Sequence, residues 1–119
     1  MRLSTAEKGI EGIRAYSHLH GLLPRLGFFV GNEARVPYDY HEVLACIAPR
    51  PVLVVAPAMD KDAVAGDVRR CVDEVEKIYR LYGATDRLQR SAPDDYNRFS
   101  TEMREKAYQW LRDRAGESR

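Results

Sequence analysis

Two short stretches hold most of the side chains able to do chemistry. PAMDKDAVAGD carries Asp60, Asp62 and Asp67. PDDYNRF carries Asp94, Asp95, Tyr96, Asn97 and Arg98. Grouped, Asp60, Asp62, Asp94 and Asp95 could offer oxygen ligands to Mg²⁺ or Ca²⁺, although neither loop has the spacing of an established cation loop. Tyr96, Asn97 and Arg98 could line a pocket and bind a carboxylate or a sugar hydroxyl. The bland alternative is a structural turn. The chain has three histidines: His18, His20 and His41. An i, i+2 pair such as His18 and His20 points to different faces of a helix. If extended, the pair shares a face, but nothing nearby completes a zinc site. His41 falls in the first turn of an expected helix, where a surface or capping role suits it.

The elements that must position these loops can be read from periodicity. Residues 4–16 read as a helix, with Ser4 and Glu7 forming a capping-box pattern. Gly9 and Gly12 each weaken it by ~1 kcal/mol relative to Ala. Residues 17–38 have neither helical nor strand period and read as an irregular, partly apolar segment that needs something to pack against. Asp39 can cap a short helix over 39–47, with Glu42 answering three residues on and Pro49 ending it. Residues 52–56 form a continuous apolar run between prolines, the pattern of a strand buried on both faces. Arg50, between two prolines, reads as a strand-entry residue that pairs with an acid. Over 64–82, Val64, Val68, Cys71, Val72, Val75, Ile78, Tyr79 and Tyr82 recur at three and four and predict an amphipathic helix. Gly83 closes it. A second, more polar strand follows over 87–92. Ser100 caps a last helix whose apolar face is Met103, Ala107, Trp110 and Leu111. The tail from residue 112, and 115–119 above all, reads as frayed.

A strand, a crossover helix and a second strand make a unit of a parallel sheet. In such sheets ligands bind beyond the carboxyl ends of the strands. That rule selects the two acidic loops, on one edge. Two strands alone do not make a stable sheet, so the expectation is an incomplete α/β domain.

Bulk composition is that of an ordinary globular protein. The 119 residues include 19 basic and 18 acidic side chains, for a net charge of +1. A nucleic-acid or anionic-membrane partner would favour a clustered basic excess, so neither is expected. Cys46 and Cys71 lie in apolar patterns and read as reduced, buried thiols. No apolar run is long enough to span a bilayer. The first residues lack the apolar stretch of a secretory signal, which makes a cytoplasmic location the default unless an upstream signal belongs to a longer chain. No cofactor or metal is expected.

The segment YDYHEVLACIAPRPVLVVAPAMDKDA resembles the C-terminal part of α/β-hydrolases of the acetyl xylan esterase and dienelactone hydrolase type. There a helix leads into APRP, a buried strand follows, and the catalytic acid comes just after it. The later IYRLYGA and NRFSTEMREKAYQWL also fit, as does HGLLPRLGFFVGNEARVPYDYHE upstream. The resemblance covers roughly residues 5–114. It implies a partial α/β-hydrolase fold: the last two parallel strands with crossover and C-terminal helices, in three αβα layers. Residues 1–38 would be a helix plus an irregular segment, 39–114 the C-terminal βαβα portion, and 115–119 a tail.

The resemblance also implies roles. Asp60 would be the triad acid that orients a histidine, with Asp62 competing. The histidine position would fall at Asn97, whose amide cannot take a proton from a serine. The glycine-flanked serine turn of the family does not occur among Ser4, Ser17, Ser91, Ser100 and Ser118. The expectation is a C-terminal portion of a carboxylic ester hydrolase, not active alone, with Tyr96 and Arg98 beside the substrate. The rival is a non-catalytic binding or oligomerisation module whose uncovered apolar surface pairs with a second chain.

Overall fold

The computed structural model describes residue 29 and residues 32–116. The expected helix over 4–16 and the His18/His20 pair lie outside the described residues.

Within the segment expected to be irregular, Glu33–Arg35 form a 3₁₀ turn. Val36 follows it, only 1% exposed. Asp39 then caps helix α1, Tyr40–Ala45. Its Oδ1 accepts from Tyr40 N at 2.7 Å, and Glu42 Oε2 accepts from Asp39 N at 2.6 Å. This reciprocal capping box satisfies amide donors that a helix start otherwise leaves unpaired. The helix closes at Ala45, short of the expected Ile47, and turns carry the chain to a cis Ala48–Pro49 bond. Among the described residues Arg50 does not pair with an acid. Its Nε donates to Ile47 O at 3.2 Å.

Strand β1, Val52–Val55, runs parallel to β2, Leu88–Ser91, in the register Val52↔Leu88 to Val55↔Ser91. Helix α2, Ala65–Leu81, makes the crossover. Gly83 ends it at φ +63°, a conformation that suits glycine because it lacks Cβ. Of the expected stripe, Val75 and Tyr79 are fully buried, whereas Val64 and Tyr82 at its two ends are exposed. Helix α3, Thr101–Gly116, runs past the point expected to fray; Ser100 Oγ accepts from Met103 N at 3.3 Å in its first turn.

The strand alternation divides the side chains between two faces. On one face Val52, Val54 and Leu88 pack with Val75, Tyr79 and Ala84, and Leu44, Ile47 and Ala48 close the cluster from the α1 side. On the other face Leu53 and Val55 look across a groove toward α3. Helices therefore flank a two-stranded parallel sheet on both sides, an α/β arrangement. Only Val52 of β1 is buried; the other three residues are half-buried. The expectation of a strand buried on both faces is corrected here. Among the described residues β1 has a strand neighbour on one side only, and its second face opens into the groove.

Candidate functional site

The two acidic loops meet. Beyond the last paired residues the ladder continues: Ala56 N donates to Ser91 O at 2.9 Å, Ala58 N to Pro93 O at 2.8 Å, and Met59 N to Asp95 O at 3.1 Å. The turn after β1 is thus sewn to the turn after β2 by backbone bonds. That stitching brings Asp60 and the 94–98 turn to one end of the sheet.

Asp60 is half-buried, and its Oδ1 accepts from Asp62 N at 2.8 Å. This Asx-type bond shapes the turn itself. Asp60 does not cap α2, whose capping position is Val64. Asp95 organises the second turn. Its Oδ1 accepts from Tyr96 N and from Arg98 Nε, each at 2.8 Å. The Tyr96 amide, then the Arg98 guanidinium and Ser100, hold its carboxyl below the ordinary range, outweighing desolvation. Arg98, expected beside a substrate, therefore has its guanidinium on the carboxylate of its own turn. Tyr96 and Asn97 are exposed, as is Phe99.

Next to this edge lies a groove of about 450 Å³ between the sheet and α3. Leu53 and Val55 floor it from the sheet, and Met103, Ala107 and Trp110 wall it from α3. Asp94 and Asp95 stand at the strand end. Asp60, Tyr96, Asn97 and Arg98 do not line it. The groove pairs residues roughly 50 positions apart, and local periodicity carries no signal for that. The Trp110 indole N–H is buried in its wall without an acceptor among the described residues.

The remaining candidates fall apart. Among the described residues no three His, Cys, Asp or Glu side chains come together as a metal ion would require, so the four-carboxylate reading is not met. His41 is half-buried in the first turn of α1. Both cysteines are free; Cys46, at the cap position just past the last residue of α1, is exposed rather than buried, and Cys71 is half-buried. Burial, and secondarily the Asp39 charge, push the Cys71 thiol up. Among the described residues no helix is long and apolar enough to cross a membrane. No protein-family model, curated protein or solved structure matches the chain.

Proposed function

We propose that this chain is the C-terminal βαβα unit of an α/β-hydrolase-like carboxylic ester hydrolase, without hydrolytic competence by itself. The observation that supports it most is the bond from Met59 N to Asp95 O. It sets the turn bearing Asp60 against the turn bearing Asn97, the relation a triad acid and its histidine need. In this reading Asp60 is the acid and Asn97 occupies the proton carrier's place. Tyr96 is free to face a bound ester, and Arg98 holds the turn through Asp95. Serine and oxyanion donors would come from another segment or chain. The ester is a small or carbohydrate-linked one.

The test is the substitution Asn97→His, followed by NMR titration of the introduced imidazole. A nearby carboxylate favours imidazolium, so its pKa should stand ~0.5–1 unit higher than in the Asn97→His/Asp60→Asn double variant. Equal values in the two backgrounds would overturn the pairing of Asp60 with position 97. The unmodified chain should not hydrolyse p-nitrophenyl acetate above the buffer rate. Turnover abolished by Asp60→Asn would overturn the claim that it is inactive alone.

The second reading, a binding or oligomerisation module with a degenerate hydrolase fold, is favoured by the edge of β1 that no described strand covers.

A further inference from the structure

In a parallel ladder the backbone groups of alternate residues point to opposite sides of a strand. Ala56 N and Ala58 N both donate toward the β2 side. By alternation Val52 and Val54 point the same way, and Leu53 and Val55 present N–H and C=O to the opposite edge. Pro51 and Pro57 share that outward phase. Neither has an N–H, so the outward donors of the stretch PVLVVAP are those of Leu53 and Val55 alone.

This pattern is symmetric about Val54. The donors flank it on either side, and the prolines stand at equal distances beyond them. Two-fold association pairs the same strand with itself, antiparallel. With the axis at Val54, Leu53 lies opposite Val55 of a second copy, and Val55 opposite its Leu53. Both are hydrogen-bonded pairs, so four N–H groups meet four carbonyls. The next hydrogen-bonding positions set Pro51 opposite Pro57, where no N–H is lost. Shifting the register by two residues still pairs the four N–H groups, but it sets Pro57 opposite Leu53 and leaves both Leu53 carbonyls inside the ladder facing a residue that has no N–H. The faces also agree, because opposed residues of an antiparallel pair share a face. Leu53 and Val55 of both copies fall on the groove face, and the two Val54 side chains adjoin on the other. Strand β2 offers no such edge: Gln89 and Arg90 are polar and exposed.

We infer that β1 is a self-complementary docking edge, through which two copies of this chain join into a four-stranded β2–β1–β1–β2 sheet. The inference rests on the geometry of β1 and not on the ester-hydrolase reading.

Sedimentation and amide exchange of the 119-residue chain test it. Between about 5 µM and about 500 µM the chain should pass from monomer to dimer, a range typical of weak association. Over that range the Leu53 and Val55 amides should gain roughly tenfold or more in protection, while those of Val52 and Val54, already inside the ladder, should not change. Val55→Lys, with a charged side chain on the joined face, should remain folded by circular dichroism and monomeric throughout. If that variant does not fold, the exchange pattern of the unmodified chain decides alone. A chain that stays monomeric, or a dimer that protects amides elsewhere, would overturn the proposal. So would protection of this edge that appears only on adding a different polypeptide.

Discussion

The Tyr79 hydroxyl donates to the carbonyl of Arg50 at 2.5 Å, across 29 positions of sequence. Tyr79 is fully buried on α2, and Arg50 leads into β1. One bond thus ties the crossover helix to the entry of the first strand, on the face where Val52 and Val75 pack.

Tyr79→Phe keeps the ring and removes this bond. The expected loss is about 1 kcal/mol, read as a lower urea midpoint with unchanged slope. Burial raises the Tyr79 phenol above its ordinary 10.0, opposed by the Arg50 charge. A raised folded value gives stability that is complete below the ordinary pKa and lost as pH rises through the raised one. The parent chain should therefore weaken above pH 10.0 more steeply than Tyr79→Phe. Equal alkaline slopes would remove Tyr79 from the account.

At the start of α1, Asp39 is buried to 6% exposure and serves two partners at once. Asp39→Ala should cost about 1 kcal/mol through the lost cap. It should also make Cys71 more reactive, since the Asp39 charge helps burial hold that thiol protonated. Alkylation rates followed against pH in a Cys46→Ser background read this directly. An unshifted profile would show that burial alone sets the Cys71 thiol.

Asp95 carries an acid-side prediction. Its folded pKa lies below the ordinary 3.8, so the stability it gives its turn is present above that value and lost as pH falls through the lowered one. The Tyr96 amide should lose exchange protection in that acid window. In Asp95→Asn the side-chain carbonyl can still accept from Tyr96, but the charge on which Arg98 sits is gone. Protection should then be lower at neutral pH and flat across the window. A variant that titrates like the parent would assign the acid response to another carboxylate.

What could be read in the sequence was what lies within a few residues. The Asp39/Glu42 box, the Gly83 stop and the Ser100 start each rest on a local spacing, and the helices and strands they bound stand within a few positions of expectation. Met103, Ala107 and Trp110 were legible as an apolar helix face, but not what that face looks across to. Leu53 and Val55 meet Met103 and Trp110 through the layering of the sheet, and no local pattern encodes that meeting. The stripe Val64–Tyr82 overstated burial at its ends for a related reason: the strand beneath α2 is four residues long, against seventeen for the helix. At the candidate site the sequence singled out the acids, but not that Asp95 holds the turn together while Asp60 stands across from it.

The backbone stitching at Ala58 and Met59 also has a mechanical meaning. Because each turn supplies the other's hydrogen-bond partners, neither can open without loosening its neighbour. The two should rise and fall as a single cooperative unit of local unfolding. A perturbation at Asp95 would then reach Asp60 through shared carbonyls, with no side chain passing between them, and the far end of the sheet would behave as one hinged plate.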